Sequence, residues 1–232
     1  MRYCGFFMFL KIKMKSIQPL FTDNHLLVVR KPSGLLIQAD RTRDKSLLDW
    51  GREYVKRKYH KPGKVYLGLV HRLDKPVSGV IVFARTSKAA SRLSEQFRTR
   101  QVKKIYWALV EGKIVEEGKI INFLVRKGTT SYIEKKGEGQ KAELSFRLLD
   151  LIDKRSWVEI KLETGRHHQI RLQFANLGHP IIGDVKYGST FKFPHQSIAL
   201  HARSLTFNHP IKKTPLTFTT EPDSFWPLTS SI

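Results

Sequence analysis

The sequence predicts an α+β fold in which a mixed, mostly antiparallel central sheet is flanked by a few helices. Short runs rich in β-branched and aromatic residues recur along most of the 232 residues, and such runs are typical of strands. Three segments carry apolar residues at helical spacing. Because the strands come in runs rather than in strict alternation with helices, the order of elements favours α+β over regular βαβ winding.

The first half of the chain is predicted to hold three strands and two helices. The apolar run 25–29 is stopped at 31–34 by lysine, proline, serine and glycine, which form a turn sequence. Ser87 is a good helix cap before an apolar repeat. A proline lies in 71–78 between two apolar runs, so we expect an exposed loop there. The predicted strands are 25–29, 66–70 and 79–84, and the predicted helices are 46–59 and the one that follows Ser87.

The second half is predicted to consist mainly of strands, with one further helix. That helix covers 166–177, where apolar residues keep helical spacing and Gly178 supplies a stop. The charged stretch 127–141, which contains several glycine and threonine residues, is interpreted as a long solvated hairpin loop. The predicted strands are 102–111, 142–149, 157–162, 198–207 and 216–220.

The charge balance points to a polyanionic partner. The chain has 42 Lys and Arg residues against 20 Asp and Glu residues, an excess of 42 − 20 = 22 positive charges. Such an excess repels itself unless a polyanion is bound, and nucleic acid is the leading candidate. A single cysteine, Cys4, allows neither an internal disulfide nor a thiolate metal site. This usage fits a reducing compartment, so we expect a cytoplasmic protein.

The start of the chain is treated separately from the rest. Residues 1–16 are expected to be a poorly defined N-terminal extension, and 17–232 are expected to form one domain, because this length suits one sizeable core. The apolar run at 6–10 is far shorter than the ~20 residues of a membrane span, and lysines follow it without a small-residue cleavage site. We therefore expect no membrane association.

The candidate catalytic loop contains His71, Arg72 and Asp74 between two predicted strands. Strands hold such a loop rigidly and leave it open to substrate. For an arbitrary loop acid, a turn cap would be the better interpretation. However, the whole string 71–79, His-Arg-Leu-Asp-Lys-Pro-Val-Ser-Gly, resembles the signature of the Rlu-type family of RNA pseudouridine synthases. The resemblance implies that Asp74 is the catalytic residue.

Four further segments resemble the same family in the same order, so that the likeness runs from 21 to 208. They are the opening strand and turn at 23–35, the tyrosine-bearing strand at 104–112, the arginine-bearing helix and turn at 162–188, and the last core strand with its turn at 200–210. The departures are small: Lys75, Val77 and His167 replace an arginine and two threonines. We expect that the chain lacks the small N-terminal RNA-binding module of many relatives and that the catalytic body supplies its own RNA contacts.

The resemblance implies a set of roles for the other site residues. Arg171 would orient Asp74, and Tyr106 would stack on the target uracil and take part in the final proton removal. Arg72 would fill the place of the extruded base, since a uridine in folded RNA must leave its stack to react. Leu200 would form the apolar floor of the pocket. On a helix, His167 and Arg171 would share one face. Further contacts to RNA are expected from His71, Arg166 and His168.

Isomerisation of uridine to pseudouridine needs neither redox chemistry nor a metal, so we expect no cofactor and no metal site. The adjacent His167 and His168 have no acid or cysteine partner at ligand spacing. The expected partner is ribosomal or transfer RNA, and the expected oligomeric state is a monomer. One alternative is a non-catalytic RNA-binding or ribosome-assembly factor on the same fold. Another is a hydrolytic enzyme such as a glycosylase, although no second paired carboxylate is evident.

Overall fold

A computed structural model describes residues 14, 17–39, 45–134 and 138–227. The predicted extension 1–16 lies outside the described residues except for Met14, and so does Cys4. The chain divides into two compact units. The first comprises Met1–Val102 and Leu205–Thr220, and the second comprises Lys103–Ser204 and Glu221–Ile232. Helices and paired strands occur in both units, and the predicted α+β class is confirmed. The prediction of a single domain over 17–232 stays a prediction.

In the first unit, the described residues form strands, several of which pair in antiparallel fashion, together with helices. Strand β2 pairs with both β1 and β4, and β3 also pairs with β4. The core of this unit packs Leu26 and Val28 of β2 against Val80 and Val82 of β4. The elements of this unit are β1 Pro19–Thr22, β2 Leu26–Lys31, α1 Leu47–Lys58, β3 Gly68–Leu69, β4 Ser78–Ala84, α2 Ser87–Arg98, the second part of β10 Leu200–Asn208, and β11 Pro215–Thr219.

Local capping explains where helices α1 and α2 begin. Ser46 precedes α1, its side chain accepts a hydrogen bond from the Asp49 N–H, and the Asp49 carboxylate accepts one from the Ser46 N–H. This reciprocal pair is a capping box, which satisfies two backbone donors at the helix start. Helix α2 is capped by Thr86, whose side chain accepts from Ala89 N at 3.2 Å. The predicted cap, Ser87, is therefore wrong by one position: it is the first helical residue.

In the second unit, five of the described strands pair antiparallel in the order β5-β9-β8-β6-β7. One face of this sheet packs against α3, where the ring of Phe174 meets the ring of Phe146 at 5.4 Å. Phe174 is fully buried, so it anchors the helix on the sheet. The elements of this unit are β5 Lys103–Glu111, β6 Glu117–Lys127, β7 Thr130–Ile133, β8 Gln140–Ile152, β9 Arg155–Leu162, α3 Gln169–Asn176 and the first part of β10.

Two sequence predictions for the second unit are wrong. The stretch 127–141 is not one long loop, because it contains β7 and the first residues of β8, while 135–137 lie outside the described residues. The helix predicted for 166–177 begins only at Gln169, since His168 at its start has a left-handed backbone with φ of +55°. His167 and Arg171 therefore do not share one helical face. Its end is as expected, because Gly178 follows at φ +81°.

Among the described residues, no helix is both long enough and apolar enough to cross a membrane.

Candidate active site

The loop that carries Asp74 connects β3 to β4 in the first unit. Leu73 and Val77 are buried and anchor the loop by their apolar side chains. Between these anchors Asp74 is half-buried, and Val77 N donates to the Asp74 carbonyl at 3.1 Å, which closes a turn around the residue. Arg72 is exposed and makes no ion pair with a described acid. The loop thus presents one acid and one arginine from an anchored backbone.

A buried lysine fixes the backbone of this loop by hydrogen bonds. The sequence analysis did not predict it as a site residue. Lys31 at the end of β2 is fully buried. Its Nζ donates to the carbonyls of Val77 at 2.6 Å, Lys75 at 3.0 Å and Pro32 at 3.2 Å. Gly34 N also donates to the Lys75 carbonyl at 2.8 Å. The turn that follows β2 is therefore tied to the backbone on the C-terminal side of Asp74.

His71 anchors the other end of the same loop. Its Nε2 accepts a hydrogen bond from Val82 N of β4 at 3.0 Å, so Nε2 carries no proton and the neutral ring is protonated at Nδ1. The ring stacks on Phe97 with centroids 4.6 Å apart. These contacts give His71 a role in fixing the loop. Its expected contact with RNA stays a prediction.

Arg171 is the centre of a buried polar cluster in the second unit. Its Nε donates to Asp184 Oδ2 at 2.6 Å, and its Nη2 donates to Asp184 Oδ1 at 2.7 Å. The side chains are only 7% and 2% exposed, so this bidentate pair is shielded from water. A guanidinium has five N–H donors, so one carboxylate does not exhaust the binding capacity of Arg171. Asp184 was part of a recognised motif, but sequence reasoning assigned it no role.

Tyr187 extends the cluster from the guanidinium to the two histidines. Its ring lies beside Arg171, with 5.2 Å between the ring centroid and Cζ of Arg171. Its hydroxyl accepts from Ser131 N at 3.1 Å and is hydrogen-bonded to Nδ1 of His168 at 2.8 Å. The ring of His168 in turn stacks on that of His167 at 3.8 Å. Arg171, Asp184, Tyr187 and His168 therefore form one connected group.

The left-handed start of α3 places His168 in this group. Gln169 holds the turn before the helix, because its Oε1 accepts from Thr164 Oγ1 at 2.7 Å and from Arg166 N at 3.0 Å. Ser131 Oγ donates to the carbonyl of His167 at 2.8 Å. Hydrophobic periodicity in the sequence cannot reveal this turn. The turn depends on hydrogen bonds from Ser131 of β7 and to the side chain of Gln169.

The remaining predicted site residues of the second unit are Tyr106, Leu200 and Arg166. Tyr106 is half-buried on β5, where it pairs with Ile160 of β9. Leu200 is 4% exposed at the start of β10. Arg166 is half-buried, and its Nε donates to the Lys141 carbonyl at 3.1 Å. Asp74 belongs to the first unit and Tyr106 and Arg171 to the second. Their meeting in one site stays a prediction.

Within the part of the chain that the structure describes, no three His, Cys, Asp or Glu side chains are grouped so as to hold a metal ion. His167 and His168 instead take part in the hydrogen bonds to Ser131 and Tyr187.

Comparison with known proteins identifies the family. The profile of the family described as RNA pseudouridylate synthase matches residues 25–176, which include the Asp74 loop and Arg171. "Ribosomal large subunit pseudouridine synthase D" of Zymomonas mobilis is 33% identical over 88% of this chain and 69% of that protein. "tRNA pseudouridine synthase C" of Pectobacterium carotovorum is 30% identical over 90% of this chain but only 60% of that protein. The chain thus spans about two thirds of the length of these relatives.

Solved structures agree with the sequence relatives. Human RNA Pseudouridylate Synthase Domain Containing 4 superimposes with a TM-score of 0.75 at 25% identity, covering 94% of this chain and 92% of that chain. The likeness therefore includes nearly all of both chains. The family and the enzyme class expected from the sequence, an isomerase, are confirmed: this chain belongs to the RNA pseudouridylate synthase family.

Proposed function

We propose that this chain isomerises specific uridines of ribosomal or transfer RNA to pseudouridine, with Asp74 as the catalytic residue. The observation that carries the proposal is the family match over 25–176, which includes an anchored loop with Asp74 and the buried Arg171. The relatives include proteins named for ribosomal RNA and for transfer RNA. Both substrate classes are therefore included in the proposal.

The reaction conserves every atom of the uridine. The bond between ribose C1′ and uracil N1 breaks, the uracil rotates, and a new bond forms between C1′ and C5. The C5 proton is then lost to a base, and N1 is protonated. The carboxylate of Asp74 acts either as a nucleophile or as a base at the ribose, and it must be ionised for both roles. The reaction is an isomerisation and requires no external oxidant or reductant.

The other site residues prepare the uridine and the carboxylate. The target base leaves its stack, at a cost of a few kcal/mol, and the exposed guanidinium of Arg72 fills the place it leaves. Tyr106 stacks on the flipped uracil, and Leu200 forms the apolar floor beneath it. Arg171 orients Asp74 by a charge-assisted hydrogen bond, with its own guanidinium held by Asp184.

The proposal extends to the setting of the enzyme. The excess of 22 positive charges suits a protein whose partner is RNA. We place the protein in the cytoplasm and assign it a monomeric state.

The test uses total RNA from a strain that lacks this gene. The RNA is incubated with the purified protein, and pseudouridine is mapped by chemical labelling and primer extension. We expect at least one uridine to be converted by the wild type, and we expect Asp74→Asn to slow conversion by about 10²-fold or more, because a positioned proton-transfer group contributes at least that much.

The matched control is Asp150→Asn, which removes an exposed acid of β8. It should convert the same uridines at the wild-type rate. Wild-type activity in Asp74→Asn would contradict the catalytic assignment. RNA binding without any new pseudouridine would instead favour a non-catalytic RNA-binding or assembly factor.

A further inference from the structure

A groove of about 430 Å³ lies beside the buried cluster of the second unit. We call it the hairpin groove, and define it by Arg126 and Ser131 of the β6–β7 hairpin, Gln140 of β8, and Arg166 and His167 before α3. Among the described residues that line it, none is acidic. Its described lining thus carries two positive charges and no carboxylate, which favours an anionic ligand.

Both arginines of the groove are oriented by backbone carbonyls. Arg126 Nε donates to the Gly128 carbonyl at 2.8 Å, and Arg166 Nε donates to the Lys141 carbonyl at 3.1 Å. Neither guanidinium forms an ion pair with a described acid. Three other arginines of the same unit do so, and the acids they bind are Glu159, Asp184 and Glu221. The groove therefore holds two oriented cations whose charge is not neutralised by a carboxylate.

The groove also adjoins the candidate site. His167 lines it, and Ser131 Oγ donates to the His167 carbonyl at 2.8 Å while lying 2.9 Å from Nδ1 of its ring. The same ring stacks on His168, which is hydrogen-bonded to Tyr187 beside Arg171. A chain of contacts thus runs from the groove through both histidines and Tyr187 to Arg171, the residue to which the proposed function assigns the orientation of Asp74.

We propose that the hairpin groove binds the sugar–phosphate backbone of a single RNA strand beside the target uridine, with Arg126 and Arg166 each contacting a phosphate. The proposal rests on the proposed function in one respect, namely that RNA is the substrate. The groove then supplies part of the RNA contact from the catalytic body itself. Because the guanidinium fork matches the oxygens of a phosphate, two oriented arginines suit this ligand better than two mobile lysines would.

The test measures binding of a uridine-containing single-stranded RNA oligonucleotide to the full-length protein as a function of salt. Each phosphate contact to a single strand contributes about 0.7 to the slope of log K against log salt. We expect the slope to become shallower by about 0.7 for Arg126→Met or Arg166→Met, and by roughly 1.4 for the double variant. Thermal unfolding verifies that each variant stays folded.

The matched control is Arg147→Met. It removes one positive charge from the same unit, but Arg147 lies outside the groove and is paired with Glu159. We expect its salt slope to equal that of the wild type. A decrease as large as that of the groove variants would show that only the overall charge matters, and would overturn the proposal. An unchanged slope in the double variant would overturn it as well.

Activity separates this proposal from the proposed function. Loss of a contact that is equal in the ground and transition states raises KM and leaves kcat unchanged, so the double variant should show this pattern. A lower kcat with unchanged RNA affinity would place the arginines in the chemistry and overturn the groove assignment. If the wild type binds RNA with the groove-dependent slope but forms no pseudouridine, the proposed function fails and the groove assignment stands.

Discussion

At the scale of single residues, buried charged side chains fix the candidate site residues in place through their hydrogen bonds. The burial of Lys31 was not predicted, because a lysine is rarely fully buried unless its ammonium has hydrogen-bond partners. Here three backbone carbonyls satisfy it. Arg171 and Asp184 satisfy each other in the second unit. In both cases, removal of one partner deprives buried polar groups of a hydrogen bond that water cannot replace. This loss lowers the free energy of unfolding.

Lys31→Met should loosen the loop that carries Asp74. The substitution fills similar space but removes the ammonium donor from the carbonyl of Val77, and it leaves the carbonyl of Lys75 with its bond from Gly34 N. We expect the free energy of unfolding to fall by about 1–3 kcal/mol, measured by urea denaturation. If Asp74 is catalytic, kcat should also fall by ~10²-fold, since small misplacements have effects of that size. Lys45→Met, which removes an exposed lysine of the same unit, should change neither quantity. Wild-type stability and kcat in Lys31→Met would contradict this role.

Asp184→Asn should show the cost of breaking a buried ion pair. The variant keeps the size of the side chain but removes the Asp184 carboxylate from the guanidinium of Arg171. We expect a loss of about 3–5 kcal/mol in the free energy of unfolding. Glu221→Gln breaks the pair with Arg203, in which the acid is 72% exposed, and should cost less than about 1 kcal/mol. Equal losses in the two variants would show that burial does not govern the strength of the Arg171 pair.

At the scale of elements, local patterns predicted most helices and strands, and non-local contacts decided the exceptions. Helix α1 follows its capping box, and β4 follows its apolar run. Strand β7 was missed because its four residues have no strong alternation, and its pairing with β6 stabilises it. The start of α3 was misplaced because Gln169 and Ser131 hold the preceding turn by side-chain hydrogen bonds. Such partners are not visible in a window of sequence.

A cross-strand charge cluster joins β6 to β8. Glu143 Oε1 lies 2.7 Å from Nζ of Lys119, and its Oε2 lies 2.7 Å from Nζ of Lys141. The hydrogen bond from Lys119, followed by that from Lys141, lowers the pKa of Glu143 from 4.5 to about 2. A carboxyl group whose pKa is lowered in the folded state stabilises the fold above its unfolded pKa. This stabilisation is lost as the pH falls through the folded value.

Glu143→Gln should therefore remove part of the acid sensitivity of the protein. In the wild type the stabilisation from Glu143 is complete above pH ~4.5 and disappears as the pH falls toward about 2. The melting temperature of the wild type should thus decrease more steeply over this range than that of the variant. Lys119→Met should flatten the profile in the same direction, because it removes the first partner. Parallel profiles of wild type and Glu143→Gln would contradict the coupling.

At the scale of the whole molecule, the excess of 22 positive charges determines the electrostatic part of RNA binding. Lysines and arginines that contact phosphates release counterions from the RNA on binding. Most of these side chains lie on solvated faces, and only a subset contacts any one ligand. The net charge therefore predicts that RNA affinity depends strongly on salt, but it does not locate the contacts. The groove variants test where some of these contacts lie.

Binding of total ribosomal or transfer RNA should weaken steeply with salt. With about six phosphate contacts, the association constant should fall by ~10³-fold between 50 and 200 mM salt. Filter binding or fluorescence anisotropy at several salt concentrations measures this slope. An affinity that stays constant over the range would contradict an interface dominated by phosphate contacts.

The sequence by itself determined the α+β class, the positions of most strands, the basic character and, through five ordered motifs, the family. These properties follow from local periodicity, composition and short strings of residues. Only the tertiary structure decided that Lys31 supports the Asp74 loop, that Asp184 binds Arg171 and that His168 precedes α3 with a left-handed backbone. The partners in these contacts are separated along the chain by 44, 13 and 19 residues, for Lys31 with Lys75, Arg171 with Asp184 and His168 with Tyr187. Burial makes the pairings of Lys31 and of Arg171 obligatory, and burial is a property of the folded chain rather than of any segment.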